Sequence, residues 1–411
     1  MTLISTAIFG AGAVGYAIAY ELSRHKKLAQ STEEIVLFER NAKVAGENQS
    51  SRTSGVIHAG IYYSKKVSPK KARHCVAGNK MLYEFCPEYD VPHKKVGKLV
   101  VARNLREKEY LDDVVATARD NGVPDIQEID GDRVKLMEPN VTALCALYFP
   151  TSGIIDATAY VRTLHRLAQN KGVVVMNGYT VVDVKPRGKF MEVTTKCGEN
   201  IETFETKIII NAAGLYSDEI ARMINPESPY EIVPTRGESA KFYKSRREDI
   251  TMNGLNVYPA PCGYYNDTGE VAQVSFQEFQ KLLFEKKITK TTGVHLTPSF
   301  DLVHGEYVIG NTVTIGPAKS VGYGKENYSE GLRGPEYFHG QVHHYFSGLR
   351  VDDIELHQAG IMAVLKGHSD WVIERDRRYP NCINTIGIDT PGLTGSLSIA
   401  KDVLELWKDY I

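Results

Sequence analysis

The N-terminal strand, turn, helix and strand of this chain constrain its fold more than any other feature. Leu3 to Phe9 is a short apolar run rich in branched side chains, the pattern of a buried strand. Gly10-Ala11-Gly12-Ala13-Val14-Gly15 follows at once. Tyr16 to Leu28 then carries apolar residues at helical spacing, and Ile35 to Phe38 is a second apolar strand ending at Glu39. This is a β-α-β unit whose glycines have separate tasks. Gly10 permits the tight turn, Gly12 lets the backbone approach a pyrophosphate, and Gly15 lets the helix pack closely on the sheet. The helix N-terminus offers unpaired N–H groups to the anion. Glu39 stands where a carboxylate accepts hydrogen bonds from a ribose diol, and Arg40 beside it is a further candidate contact. A glycine-rich turn in an unrelated α/β protein is the competing reading; the strand before and the helix after both count against it.

The chain is 411 residues long, too long for one ordinary core, so two domains are expected. A formal net charge of -1 gives no whole-chain field for nucleic acid or anionic lipid. The basic pairs Lys65-Lys66 and Lys70-Lys71 read as solvated loop. Cysteines at 75, 86, 145, 197, 262 and 382 have neither zinc-ligand nor Cys-x-x-Cys spacing, so free thiols in a reducing compartment are expected. No apolar run approaches the roughly 20 residues that span a bilayer. The first strand starts so close to Met1 that no targeting segment is expected. Together these features lead to the expectation of a cytoplasmic protein, or one held peripherally on a membrane.

The rest of the chain falls into two kinds of segment. Asp156 to Lys171 is an amphipathic helix. The runs 173–176, 181–184, 191–195 and 201–206 alternate like a meander, and Lys207 to Asn211 is a buried strand closed by Ala212-Ala213-Gly214. From about 231 to 345, aromatics, prolines and period-two stretches indicate a largely antiparallel sheet. Within it Ser275 to Lys287 reads as a helix, with Ser275 and Glu278 as capping box and Phe276, Phe279 and Leu283 as apolar face. Packing on its own domain is the first reading of that helix; a dimer or membrane contact is the second. The expected architecture is α/β (α+β overall). Segments 1–90, 148–230 and 346–411 form a discontinuous Rossmann-type domain, and 91–147 and 231–345 a substrate domain on a mostly antiparallel sheet. The C-terminal turn Thr390-Pro391-Gly392-Leu393-Thr394-Gly395, with a helix expected from Ser396, rejoins the first domain. Three separated glycine turns suit a long extended cofactor better than NAD on one continuous block.

The loop from Asn48 to Tyr63, Asn-Gln-Ser-Ser-Arg-Thr-Ser-Gly-Val-Ile-His-Ala-Gly-Ile-Tyr-Tyr, resembles the signature of the D-amino-acid-oxidase-like FAD family. Further similar motifs are Gly97–Ala102, Gly153–Asp156, Ala213–Asp218, Val233–Glu238, Asn256–Pro259, Gly293–Pro298 and Gly387–Thr394. Within that family the chain most resembles the L-2-hydroxyglutarate dehydrogenases (oxidases), and the likeness covers most of its length. Between Pro261 and Gly293 it is longer than the family pattern, and this insertion, 262–292, bears on the substrate. The resemblance implies FAD, oxidation of L-2-hydroxyglutarate to 2-oxoglutarate by hydride transfer to flavin N5, and an external acceptor, quinone or oxygen. A glycerol-3-phosphate dehydrogenase or an amino-acid oxidase of the same superfamily is the alternative. A flavin-binding regulatory protein without turnover is a third reading. A homo-oligomer is compatible with all of them.

Such chemistry needs a base for the hydroxyl proton, cations for the carboxylates and stabilisation of the reduced flavin. His58 and His295 are the candidate bases, since a neutral imidazole is available near pH 7. A hydrogen-bonded core role competes for each, and a covalent flavin bond is a third reading of His58. Arg236, Arg350 and Lys98 are the candidate carboxylate cations, with surface or interdomain ion pairing as the competing role. Tyr258 and Tyr62 are candidate donors to substrate oxygens, or packing residues near the ring. Ser50, Ser51 and Arg52 are expected at the pyrophosphate and the Val181 backbone at the adenine. Ala213, Gly214, Gly392, Leu393 and Thr394 are expected along the cofactor, the last turn aiming amides at flavin O2. His339, His343 and His344 lack a carboxylate or cysteine at ligand spacing and read as a polar surface helix, so no metal is expected.

Overall fold

The structure, a computed structural model, describes residues 3–25, 34–265, 272 and 274–410. The first strand, Leu3–Phe9, is buried from Ile4 onward. A strand covered on both faces reads as a continuous apolar run, and this one is central in a parallel sheet. It pairs in parallel with Ile35–Glu39 on one side and with Asn200–Asn211 on the other. Val174–Asn177 extends the sheet beyond Ile35–Glu39. Asn200–Asn211 was read as two runs but is one strand, with two further partners besides Leu3–Phe9. Up to Thr206 it pairs antiparallel with Phe190–Cys197, and from Ile209 it pairs in parallel with Cys382–Ile386. A chain segment from near the C-terminus is thereby built into the N-terminal sheet.

Helix Ala13–Ser23 packs against Ala157–Gln169 and against Gly392–Trp407, which also packs on Pro69–Glu88. The expected end of the first helix, residues 26–28, lies outside the described residues. Asp156 caps Ala157–Gln169 by accepting from the N–H groups of Thr158 and Ala159, both at 2.9 Å; such a cap contributes about 1 kcal/mol. Two polar contacts tie this layer together: Trp407 Nε1 donates to Thr6 Oγ1 at 3.0 Å, and the hydroxyls of Tyr160 and Ser396 meet at 2.8 Å. The C-terminal helix begins at Gly392, four residues before the expected start: Gly395 N–H already donates to Pro391 O at 2.9 Å. The glycine turn is therefore the first turn of the helix.

The second sheet has eight strands, in the order 355–365, 232–243, 306–321, 295–303, 256–259, 98–102, 145–149, 127–130. All neighbours are antiparallel except Asn256–Pro259 with Lys98–Ala102. Two of the expected boundaries shift. Glu355–Leu365, placed with the dinucleotide part, pairs along most of its length with Ile232–Tyr243 in the second sheet. Cys145–Phe149 crosses the expected 147/148 boundary.

Helix Phe276–Phe284 is capped by Ser275, whose hydroxyl accepts from Glu278 N–H at 3.3 Å. Its inward face is Phe279 and Leu282 rather than Leu283. Phe279 meets the Tyr110 ring edge-on at 4.8 Å, so the helix packs on its own half of the molecule. Strands Cys262–Tyr265 and Ile288–Thr291 flank it as an antiparallel pair. Part of this insertion, 266–271 and 273, lies outside the described residues. No disulfide joins the six cysteines among the described residues. Among the described residues no helix is long and apolar enough to cross a membrane.

Candidate active site

A cavity of about 980 Å³ runs between the two sheets. At one end lies the glycine turn. Gly10 has φ 100°, and a Cβ on Gly15 would stand 1.9 Å from Gly10 O, so the helix can sit this close to the turn only with glycine there. A Cβ on Gly12 would reach Ser50 Oγ at 3.0 Å. Ser50 Oγ accepts from Ala13 N–H at 2.9 Å, joining the helix start to the 48–52 loop. The Glu39 carboxylate accepts from Ala11 N–H and Asn41 N–H, both at 2.8 Å, and lines the cavity. Arg40 lies over the Tyr216 ring at 4.1 Å and donates to Glu326 at 3.1 Å. Arg52 lies over the Tyr328 ring at 4.2 Å, and its Nε is buried without an acceptor. Val181, Ala213 and Gly214 line the same stretch. Ser51 does not: its hydroxyl accepts from Gly46 N–H at 2.9 Å and donates to Asn48 Oδ1 at 3.0 Å, so it holds the loop in shape.

At the other end His58, His295, Tyr258 and Tyr62 come together with Gly392, Leu393 and Thr394. Val257 pairs with Leu296, which sets Tyr258 opposite His295 across the strands, and their rings stack at 3.8 Å and 10°. The His295 Nδ1 and Thr297 Oγ1 are 3.3 Å apart. The His58 main chain is tied down by Thr394 and Asn79, while its imidazole makes no hydrogen bond to the described protein. Burial, and then the Lys98 ammonium, hold His58 well below its usual pKa. Burial, Lys98 and His58 do the same to His295. Lys98 itself is fully buried with no acceptor, its Nζ 3.8 Å from the Tyr258 ring centroid, and burial lowers its pKa to about 7. The hydroxyls of Tyr62 and Tyr258 are also buried without partners.

Two expected cations stand elsewhere. Arg236 is buried and committed: its Nη2 meets Glu238 at 2.9 Å, and its Nη1 donates to Glu330 O at 2.7 Å. It anchors the segment after Val321 and does not line the cavity. Arg350 is exposed at the far end of the second sheet, where its main chain donates to Asp353 at 2.9 Å. Three lysines line the cavity instead. Lys71, read as solvated loop, lies in the first turn of helix Pro69–Glu88 and meets Asp389 at 2.8 Å. Lys290, from the insertion, meets Asp113 at 2.9 Å. Lys319 comes from strand Glu306–Val321. No motif flags these lysines; Lys319 sits in an ordinary period-two strand. Asn48 and Gln49, also on the wall, open the signature loop but were not singled out as site residues. His339 and His343 stack at 5.0 Å at the end of helix Pro335–Val342, and no metal-binding cluster occurs among the described residues.

The family model described as "DAO: FAD dependent oxidoreductase" matches residues 5–406. The chain belongs to the DAO family of FAD-dependent oxidoreductases. This DAO-family protein is 28% identical to the mitochondrial L-2-hydroxyglutarate dehydrogenase of Arabidopsis thaliana, over 97% of its own length and 82% of the relative's. It is 29% identical to the glycerol 3-phosphate dehydrogenase of Caloramator mitchellensis, over 99% and 74%. Among solved structures it is similar to the FAD-bound L-alpha-glycerophosphate oxidase of Mycoplasma pneumoniae, with TM-score 0.81, 22% identity and coverage of 99% and 95%.

The cavity of this DAO-family protein fits FAD. Its length joins a Cβ-free turn at a helix N-terminus to a second helix start at Gly392. The amides of Leu393 and Thr394 in that second start have no partner within the described protein, which suits an electron-rich ring edge. Arg52 Nε offers an unused donor between the two.

Proposed function

We propose that the protein oxidises a small 2-hydroxy acid, L-2-hydroxyglutarate before others, to the 2-oxo acid. One observation carries this reading. Two imidazoles held in the neutral form, His58 and His295, line the same cavity as the lysines Lys71 and Lys319, and Lys319 is near enough to His295 to lower its pKa. A base and a cation at one point are what removal of a proton from the hydroxyl of a carboxylic acid requires.

Bound FAD supplies the acceptor for the hydride from the carbinol carbon. The chain supplies the rest. Gly12, Ser50 and Arg52 hold the diphosphate, Glu39 and Arg40 the adenosine ribose, and the Val181 main chain the adenine. Ala213 and Gly214, on the same wall, would hold the cofactor along its length, and the Leu393 and Thr394 amides would donate to its ring. His58, with an unbonded imidazole, takes the hydroxyl proton; His295, fixed by its Tyr258 stack, is the second candidate. Tyr62 and Tyr258 bring hydroxyls without protein partners to the same wall. The electrons leave to a quinone or to oxygen.

The test is anaerobic bleaching of the purified yellow protein by L-2-hydroxyglutarate, with D-2-hydroxyglutarate, glycerol 3-phosphate and glycine in parallel. Fastest bleaching is expected with the L-hydroxy acid. Glycerol 3-phosphate is the second reading, because a lysine ammonium donates to phosphate as readily as to carboxylate and one relative at similar identity carries that name. Faster bleaching by glycerol 3-phosphate selects it.

A further inference from the structure

Lys319 is the cavity lysine without a partner. Lys71 and Lys290 each have a carboxylate at 2.9 Å or closer, whereas no side chain or carbonyl of the described protein accepts from Lys319 Nζ. Its side chain is exposed and lines the cavity, yet protein surrounds it densely enough that burial lowers its pKa. Asp389 is near enough to favour its charge, but Asp389 Oδ1 already receives Lys71 Nζ at 2.8 Å and Trp371 Nε1 at 2.9 Å. Lys71 and His295 are the other groups that feel it. The strand register explains why it stands clear. Lys319 pairs with Gly237, and Gly237 pairs on its other side with Gly360, so the row across three strands carries one side chain and two glycines. All three residues line the cavity. Lys98, the other unpaired lysine near the site, is sealed beneath Tyr258 and is not on the wall.

An ammonium with three donors and no acceptor among the described residues, standing on a cavity wall, is free to pair with an anion that enters the cavity. We infer that Lys319 anchors a carboxylate of the substrate and thereby sets the preference for an anionic 2-hydroxy acid. The inference rests on the proposed function in that the anion is taken to be the substrate's; the site itself is an anion site whichever reaction follows.

The experiment separates the two. Glutarate, which has no hydroxyl to oxidise, is titrated into the holoprotein and binding is read from the perturbed flavin absorbance. Inorganic phosphate is titrated in parallel. Wild type, Lys319→Met and Lys319→Arg are compared, and KM and kcat for L-2-hydroxyglutarate are measured on each. Lys319→Met is expected to weaken glutarate by at least about tenfold and to raise KM more than it lowers kcat. Flavin content should be unchanged, and Lys319→Arg should restore most of the affinity. If L-2-hydroxyglutarate fails to bleach the wild-type flavin while glutarate binding still depends on Lys319, the anchor stands and the proposed reaction falls. The inference is overturned if glutarate binds Lys319→Met as tightly as wild type. It is also overturned if that variant loses flavin instead, if phosphate binds more tightly than glutarate, or if neither anion perturbs the wild-type flavin.

Discussion

Thr394 fixes His58 from 336 residues away: its Oγ1 accepts from His58 N–H at 3.1 Å and donates to Val56 O at 3.3 Å. The first turn of the C-terminal helix and the signature loop are thereby one rigid piece. Asn79 completes the clamp, donating to His58 O at 3.0 Å and to Thr151 O at 2.9 Å. An imidazole tied at its main chain, the proposed base, keeps one direction without spending a ring nitrogen on the task.

Thr394→Val removes the hydroxyl at almost constant volume and leaves His58 N–H without its acceptor. A buried donor left unpaired costs about 1–3 kcal/mol. The thermal midpoint of the holoprotein should fall and turnover with it, while Thr394→Ser should recover both. An unchanged midpoint and turnover in Thr394→Val would show that the clamp does not position the base.

His58→Asn should lower kcat/KM by about 10²–10⁴, the range of a general base. Because burial and then Lys98 depress the His58 pKa below 6.5, the wild-type acid limb should lie below that value and activity should be level through neutrality. In Lys98→Met the limb should move up, since a cation facing the imidazole is gone. Stability follows the same sign. Between the folded pKa and 6.5 the unfolded chain binds protons that folded His58 and His295 refuse. Stability is therefore full above 6.5 and declines as pH falls through that window. A wild-type limb above pH 7 contradicts this account.

Gly15→Ala should give protein without colour. The added Cβ would lie 1.9 Å from Gly10 O, and backbone on both sides cannot yield that far. Gly12→Ala meets only Ser50 Oγ at 3.0 Å, so that variant should fold and lose flavin affinity by degrees. Equal flavin content in Gly15→Ala and wild type would remove the reason given for that glycine.

Arg236→Met tests a position that suggested carboxylate binding. It leaves Glu238 buried beside Arg333, with one cation fewer, and frees the carbonyls of Glu330 and Gly331. Breaking a buried pair by removing one member costs about 3–5 kcal/mol. A large loss in urea resistance is expected, with KM for L-2-hydroxyglutarate changed by less than about threefold on protein that remains folded, because no substrate interaction worth even a weak hydrogen bond is removed. A large KM increase at unchanged stability would return Arg236 to the substrate.

The dinucleotide end of the site was legible because its chemistry is local. Strand, turn and helix follow one another within the first residues, and each glycine answers a constraint from its own neighbours. Ser50 and Arg52 were legible for the same reason, as parts of one loop. Ser51 was overextended, because sequence does not say which hydroxyl of a pair turns inward to cap its own loop. The cations differ from those expected. Arg236, in the Val233–Glu238 motif, and Arg350 lie off the cavity, one inside a buried ion pair and one on the surface. Lys71, read as solvated loop, and Lys319, in a strand with no motif, line the wall. A cation's role depends on whether an acid lies across from it, and that acid comes from elsewhere in the chain: Glu238 for Arg236, Asp389 for Lys71, none among the described residues for Lys319.

The amino-acid order by itself determined the β-α-β start and the glycine turn that carries it, since these rest on periodicity, turn chemistry and short spacings. Tertiary structure decided which strands share a sheet, where the last helix begins and which ammonium is left without a partner. Pairing and desolvation are set by groups hundreds of residues apart, and only the folded packing brings them within reach of one another.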